Sequence, residues 1–198
     1  MSKFEFPSSI KSRPIYGTLE ARAGKAHLMI ADAEGAEAIL AIATRELMSQ
    51  THIIYIPCGT DYSKKLQALK PAQFYEGPSY AASVTRIQRV LQDAHMGLQV
   101  YLAGTEGLMG QAQNEAMKFG IPHTAIQTEH YGSIARRMQC VHCKGITEDV
   151  EIDPFVCSHC GLNLFVRDHY SRRLAAYQGV CIDAEDPGNI PEVKGIYE

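Results

Sequence analysis

The sequence predicts an α/β fold, in which a small, doubly wound and mostly parallel sheet is followed by a compact C-terminal unit. Two observations lead to this prediction. Between residues 15 and 133, short apolar runs typical of buried strands alternate with segments that repeat apolar residues at helical spacing. Between residues 138 and 161, two Cys-x-x-Cys pairs are separated by thirteen residues, a spacing typical of metal-binding turns.

The first half of the α/β region contains three predicted strands and one long helix. Residues 1–14 carry two prolines and are predicted to be a mobile arm or a sheet edge. Residues 15–21 alternate apolar and polar side chains, which predicts a half-exposed strand. Residues 25–31 and 51–58 are apolar runs suited to buried parallel strands. Between them, residues 35–48 show helical spacing, and the pattern predicts one continuous helix.

The second half continues the alternation and brings the predicted sheet to about five strands. Three helices are predicted: a short one around Leu66 and Leu69, one capped by Ser83, and one at residues 108–119 that is closed by Gly120. The strands predicted between and after these helices lie at residues 73–75, 98–103 and 124–128.

The strongest signal in the chain is the set Cys140, Cys143, Cys157 and Cys160. Four thiolates on two tight turns can surround one ion tetrahedrally, which predicts a structural zinc site. Residues 146–156 alternate apolar and polar side chains before a turn, so we expect a short hairpin that joins the two turns as in a zinc ribbon. A closed four-thiolate site leaves no open position, so it is expected to stabilise the fold without catalysing a reaction.

The sequence also allows other interpretations of the four cysteines. Two disulfides would need an oxidising compartment, and the N-terminus lacks the apolar segment of a signal peptide. Rubredoxin-type iron also uses two such pairs, but a longer aromatic insert would be expected, and iron–sulfur clusters use other spacings. His142 and His159 could each replace a cysteine as ligand. Cys58 and Cys181 are isolated, which predicts small buried or partly buried residues.

Composition limits the classes of function. The chain has 198 residues, of which 45% are hydrophobic and 21% charged, and these fractions are typical of a globular protein. Its net charge of −3 gives no basic excess, so nucleic acid is not an expected partner. No apolar run is long enough to cross a bilayer, so no membrane partner is expected, and the predicted compartment is the cytoplasm.

One part of the chain resembles a known nucleotide-binding domain. A strand ending in Ala103-Gly104-Thr105, a helix, and a strand ending at residues 128–132 (TEHYG) are similar to the nicotinamide-nucleotide domain of ferredoxin reductases. The resemblance implies a cysteine in the turn after the first of these two strands, but this chain has Ala103 there. The turn at residues 31–35 has a single glycine and two acids, Asp32 and Glu34, where a pyrophosphate would need glycines and N–H donors. We therefore expect no dinucleotide binding and no cofactor-binding residues. The chain also shows no recognisable set of acid, base or nucleophilic residues, so no catalytic residues are expected.

The C-terminal part is predicted to be a helix followed by a tail. Asp168 or Ser171 could cap a helix that continues through Tyr177, with His169 as a packing or capping residue. Residues 182–198 are acidic and lack periodicity, which predicts an extended tail. The predicted domains are therefore a degenerate nucleotide-binding α/β domain at residues 1–134, a zinc ribbon at 135–166, and a helix with an acidic tail at 167–198.

A second resemblance covers the last third of the chain. The four cysteines, the run DHYSRRLAAY at residues 168–177 and the segment DAEDPG at residues 183–188 resemble the dimethylamine monooxygenase subunit DmmA-like family. The resemblance implies a small, non-catalytic subunit that serves assembly and docking in a haem-dependent, NADPH-dependent oxidative N-demethylase. Its partners would be a haem-bearing subunit and a reductase subunit with FMN and a [2Fe–2S] cluster, which together convert dimethylamine to methylamine and formaldehyde.

Two further expectations concern the partner contacts and an alternative function. Arg172, Arg173 and Tyr177 belong to residue types enriched at binding hot spots, so they are the expected partner contacts. The alternative is a stand-alone nicotinamide-dependent reductase or electron-transfer component, against which the acidic turn at Asp32 and Glu34 argues.

Overall fold

The computed structural model describes residues 13–197, which form two compact units. The first comprises residues 16–133 and the second residues 134–197 together with residues 13–15. Within the described residues, no helix combines the length and the apolar character needed to cross a membrane. The predicted arm at residues 1–14 lies almost entirely outside the described part of the chain.

The first unit is built on a five-stranded sheet in the order β3-β2-β1-β4-β5, in which every pair of neighbours is parallel. The predicted parallel α/β sheet is thereby confirmed. Its strands are β1 (Ala26–Asp32), β2 (Thr51–Ile56), β3 (Gln73–Glu76), β4 (Leu98–Gly104) and β5 (Ile126–His130).

Helices cover both faces of this sheet, because the central strands are apolar on both sides. Along β1, Leu28 and Ile30 belong to one buried cluster, and Met29 and Ala31 to another. The five helices are α1 (Ala36–Ile42), α2 (Arg45–Met48), α3 (Ser63–Ala68), α4 (Tyr80–Gln92) and α5 (Glu106–Lys118). The cluster around Met29 contains residues of α1 to α3, and the cluster around Leu28 contains residues of α4 and α5.

Two helix predictions in this unit need correction. The predicted helix at residues 35–48 is two helices, because Ala43 is extended and the Thr44 hydroxyl accepts the N–H of Leu47 as a new N-cap at 3.2 Å. The cap of α4 is Ser79, whose hydroxyl accepts the N–H of Ala82. Ser83, the predicted cap, is instead buried inside the helix and donates its hydroxyl to the Ser79 carbonyl at 2.8 Å.

The predicted strand at residues 15–21 does not form. Its Gly17 N–H does bond to the Thr128 carbonyl of β5 at 2.9 Å. The N–H groups of Leu19 and Glu20, however, bond to side chains: Leu19 to a Glu129 carboxylate oxygen and Glu20 to the Gln127 amide oxygen. Side-chain contacts therefore take the place of a ladder of backbone pairs where the segment runs beside β5.

The second unit consists of strands without a helix among its described residues. They are β6 (Arg136–Cys140), β7 (Ile146–Val150), β8 (Ile152–Asp153), β9 (Phe155–Val156), β10 (Asn163–Ser171), β11 (Ala176–Cys181) and β12 (Lys194–Gly195). Five of them form a sheet in the order β7-β6-β11-β10-β9, and β12 pairs with β8. The predicted extended tail therefore returns to the unit, since Lys194 lies opposite Asp153.

The helix predicted after residue 167 is wrong, because residues 163–181 form the hairpin β10–β11. Side chains in β10 alternate between faces, with Leu164 fully buried and Arg167 and His169 exposed. The predicted hairpin within residues 146–156 is also absent. Its strands pair elsewhere, β7 with β6 and β9 with β10.

Candidate functional site

The two Cys-x-x-Cys pairs occupy two matching turns. In the first turn, the Lys144 N–H donates to the Cys140 carbonyl at 2.9 Å, and in the second the Gly161 N–H donates to the Cys157 carbonyl at 3.0 Å. Lys144 and Gly161 both adopt positive φ, 65° and 74°. Positive φ favours glycine, but in the first turn a lysine adopts it. Each turn connects the two strands of a short hairpin, β6–β7 or β9–β10.

The four cysteine sulfurs converge on one point. All four lie within 4.8 Å of one another, with Cys140 Sγ 3.8 Å from Cys160 Sγ and Cys143 Sγ 3.7 Å from Cys157 Sγ. A tetrahedral ion with metal–sulfur bonds of about 2.3 Å needs sulfurs about 3.8 Å apart. A disulfide would need about 2.05 Å. The geometry therefore fits a metal ion and does not fit a disulfide.

The second turn is also held to β7 by hydrogen bonds that involve no sulfur. His159 Nε2–H donates to the Ile146 carbonyl at 2.8 Å, and the Ser158 N–H donates to the Thr147 hydroxyl at 3.1 Å. Gly145 leaves the space for this contact, since a Cβ there would lie 2.5 Å from the His159 ring. His159 thus bonds to a carbonyl, and the candidate metal-binding group among the described residues contains neither His142 nor His159.

The thiols influence each other's protonation. Burial opposes ionisation of Cys157, but N–H donors of Cys160 and His159 and the neighbouring thiols outweigh it and lower its pKa to about 6. At Cys160, the N–H of Leu162 favours the thiolate, but desolvation and the adjacent thiols raise its pKa to about 12. Without a cation, the thiolate is therefore favoured at Cys157 and opposed at Cys160, whereas four thiolates together require the charge of a metal ion.

Cys58 and Cys181 lie outside this cluster. Cys58 follows β2 and is exposed, so the prediction that it is buried is wrong. Cys181, at the end of β11, is partly buried as predicted and donates its S–H to Asp183 Oδ1 at 3.3 Å.

The predicted partner contacts divide into two groups. Arg172 and Arg173 are exposed in the turn between β10 and β11, and the Arg137 guanidinium fixes this turn by donating to the Leu174 carbonyl at 2.6 Å. Tyr177 is only 1% exposed, because it lies in β11 with its ring edge-on to Tyr170 at 5.0 Å. As a core residue it cannot act as the surface contact that was predicted.

A buried arginine links both ends of the described chain to the second unit. Arg136 is 1% exposed, and its guanidinium lies 4.3 Å from the Tyr177 ring centre and 4.8 Å from that of Tyr197. Arg136 Nη1 donates to Asp168 Oδ1 at 2.7 Å, and Arg13 Nη2 donates to the same oxygen at 2.8 Å. Residues near both termini thus complete the packing of the second unit. Sequence patterns gave no signal for this cluster.

In the first unit, the acidic turn after β1 is occupied by its own side chain. Asp32 Oδ1 accepts the Thr105 N–H at 2.8 Å, and Oδ2 accepts the Thr105 hydroxyl at 2.6 Å. Burial raises the pKa of Asp32 to about 6, although these two hydrogen bonds favour the carboxylate. The sequence indicated only that Asp32 lies in the turn after the first buried strand. No local pattern indicated the contact with Thr105, since 73 positions separate the two residues.

Fold and site together define the class of protein: a Rossmann-type parallel α/β unit joined to a β-sheet unit that carries a four-cysteine centre. The chain belongs to the dimethylamine monooxygenase subunit DmmA-like family. It matches the N-terminal domain of that family over residues 8–126 and the C-terminal domain over residues 137–180.

One curated relative is the haem-dependent oxidative N-demethylase delta subunit of Ectopseudomonas mendocina (strain ymp), 34% identical over 110 residues. The matched region spans 56% of this chain and 63% of the relative, so the chain aligns with less than two thirds of that protein.

Similar solved structures include flavin- and nucleotide-binding proteins. The FAD/NAD-binding domain of nitric oxide dioxygenase from Vibrio cholerae O1 biovar El Tor has a TM-score of 0.42 and 14% identity, over 61% of this chain and 56% of that one. The flavohemoglobin of Malassezia yamatoensis, with bound FAD and haem, also has a TM-score of 0.42, with 15% identity over 55% of this chain and 32% of that one. Values this low support no inference about ligands.

Proposed function

We propose that this chain is a non-catalytic subunit of a haem-dependent, NADPH-dependent dimethylamine monooxygenase, in which it serves assembly and docking. The observation that carries the proposal is its membership of the DmmA-like family, together with 34% identity to an N-demethylase delta subunit. The complex would act in the cytoplasm and convert dimethylamine to methylamine and formaldehyde. Haem, FMN and a [2Fe–2S] cluster would belong to the partner subunits.

In this proposal, Cys140, Cys143, Cys157 and Cys160 hold one structural zinc ion in a zinc ribbon. Support comes from sulfur–sulfur distances of 3.7 and 3.8 Å, which match the edge of a tetrahedral zinc–thiolate site. When bound, the ion neutralises the thiolates and fixes the two turns relative to one another. Four protein ligands fill its coordination sphere, so the chemistry of N-demethylation takes place in other subunits.

The exposed turn between β10 and β11 is the proposed partner contact. Arg172 and Arg173 lie there next to one another, and the Arg137 contact with the Leu174 carbonyl holds the turn in place. A turn whose backbone is already held loses less conformational entropy on binding than a mobile one, and an arginine guanidinium can form paired hydrogen bonds with a carboxylate or a haem propionate. Charge-assisted contacts of this type would orient a partner against the second unit.

The experiment is purification of the tagged full-length chain from its native host, followed by identification of bound chains and of their haem and flavin absorption. We expect a haem protein and a flavin reductase to co-purify and to catalyse NADPH-dependent demethylation of dimethylamine. Recovery of the chain alone would contradict the proposal, as would turnover of dimethylamine by the isolated chain.

A double variant tests the contact. Arg172→Ala with Arg173→Ala should weaken assembly about tenfold or more, equivalent to about 1.4 kcal/mol, if the turn lies within the interface. The matched control is Lys64→Ala with Lys65→Ala, an adjacent basic pair exposed on α3 of the other unit, which should leave assembly unchanged. Equal effects of the two double variants on assembly would show that the turn lies outside the interface.

A further inference from the structure

The point where the strand order of the first sheet reverses is the place where open α/β sheets bind their ligands. In the order β3-β2-β1-β4-β5, this switch point lies between β1 and β4. Asp32 is the last residue of β1, and Thr105 directly follows β4 as the N-cap of α5. A helix of this length directs the positive end of its dipole toward the crevice, an arrangement that favours an anion.

An anion is already present at this position, and it belongs to the chain. The Asp32 carboxylate is about nine-tenths buried and accepts both the N–H and the hydroxyl of Thr105. These are the kinds of donor that hold a phosphate oxygen at a helix N-terminus. A phosphate ligand would therefore have to displace a buried carboxylate and take over its hydrogen bonds.

The surrounding backbone provides the space for this carboxylate. Gly104 adopts φ of 127°, and a Cβ at this residue would lie 1.7 Å from Asp32 Oδ1. Gly35 lies against the Ala103 carbonyl, where a Cβ would approach within 2.3 Å. Both glycines bring the turn after β1 and the turn after β4 close together, so the Asp32 side chain is enclosed between them.

We propose that Asp32 is the residue that determines ligand specificity at the switch point: its carboxylate serves as a built-in anion that excludes phosphate groups. Without this carboxylate, the same crevice would bind inorganic pyrophosphate through Thr105. Two other acids lie nearby. Glu106, in the first turn of α5, accepts the Tyr16 hydroxyl at 2.8 Å, and Glu34 faces Gly132. Both would limit the affinity gained, and neither occupies the Thr105 donors.

The test is calorimetric titration of the full-length chain with pyrophosphate, on the wild type, Asp32→Gly and Asp32→Asn. Asp32→Gly removes both charge and volume, so we expect pyrophosphate to bind at least tenfold more tightly than to the wild type. Asp32→Asn keeps the volume and one acceptor but loses the charge, and should fall between the two. In Asp32→Gly, the amide NMR signal of Thr105 should shift on titration, which places the bound anion at this residue.

Glu34→Gln is the matched control, since it removes the neighbouring charge without freeing the Thr105 donors, and it should bind no better than the wild type. If Asp32→Gly does not fold, the comparison between Asp32→Asn and the wild type tests the same proposal. Wild-type binding as tight as that of the folded variants would overturn it. So would a folded Asp32→Gly variant with no gain in binding, or an equal gain in Glu34→Gln.

Discussion

Cys143 Sγ and Cys157 Sγ lie 3.7 Å apart, although 14 positions separate the two residues along the chain. They belong to different turns, which hydrogen bonds between residues 146–147 and 158–159 also hold together. The distance is too long for a disulfide and suits two ligands of one ion.

The first prediction concerns metal content. Protein purified with zinc should contain about one zinc ion per chain, and Cys157→Ser should lower this value strongly, because three thiolates bind the ion less tightly than four. Elemental analysis measures the ratio. Cys58→Ser removes an exposed cysteine of the other unit and should change nothing. A wild-type ratio near zero, with two disulfides found by mass mapping, would contradict the prediction.

The second prediction concerns the effect of metal removal. Because structural zinc contributes on the order of 10 kcal/mol to folding, a chelator or Cys157→Ser should unfold the second unit. Residues 16–133 have their own two-sided core and should remain folded. Limited proteolysis followed by mass spectrometry should give a stable fragment that ends near Arg137. Loss of the whole chain in one cooperative step would show that the two units share their stability.

The third prediction concerns pH and Asp32. Its pKa is raised from 3.8 to about 6 in the folded chain, so the folded state holds this proton more tightly than the unfolded state does. The stabilisation is fully present below about pH 4 and is lost as pH rises through about 6, a change of about 3 kcal/mol. The free energy of unfolding, measured in urea, should therefore fall between pH 4 and pH 7 by this amount more in the wild type than in Asp32→Asn.

Other groups titrate over the same range, so the comparison with Asp32→Asn isolates the contribution of Asp32. Glu34→Gln, in the same turn, should keep most of the pH dependence of the wild type, because the Glu34 charge is the smallest of the causes that shift the pKa of Asp32. An identical pH dependence in the wild type and Asp32→Asn would show that the carboxyl group titrates normally.

The fourth prediction concerns Gly145. Replacing it by alanine places a methyl group 2.5 Å from the His159 ring, so His159 must leave the Ile146 carbonyl or the two turns must separate. We expect a loss of about 1–3 kcal/mol in the stability of the second unit, and weaker zinc binding in a chelator competition assay.

Gly107→Ala is the contrasting variant, since this glycine lies in α5 with no atom within 4 Å of an added Cβ. Alanine there should stabilise the helix by about 0.5–1 kcal/mol and leave zinc affinity unchanged. Zinc affinity in Gly145→Ala equal to that of the wild type would show that the turns tolerate the displacement of His159.

The sequence by itself predicted the parallel α/β sheet, because its central strands are continuous apolar runs and its helices repeat apolar residues at helical spacing. Gly120 at the end of α5 was predicted correctly for a similar reason, since the positive φ observed there favours glycine. The spacing of the four cysteines was likewise sufficient to predict that their sulfurs meet. All these signals are local, because each depends on residues that lie close together in the sequence.

Tertiary structure alone decided the features that depend on distant partners. Residues 163–181 became a hairpin because β10 and β11 complete a sheet with β6 and β9, which outweighs the capping and helical spacing near Asp168. Tyr177 was buried by the same sheet. The pairing of Asp32 with Thr105 required β1 and β4 to lie side by side. Strand pairing and buried hydrogen bonds connect residues far apart in sequence, so no local pattern encodes them.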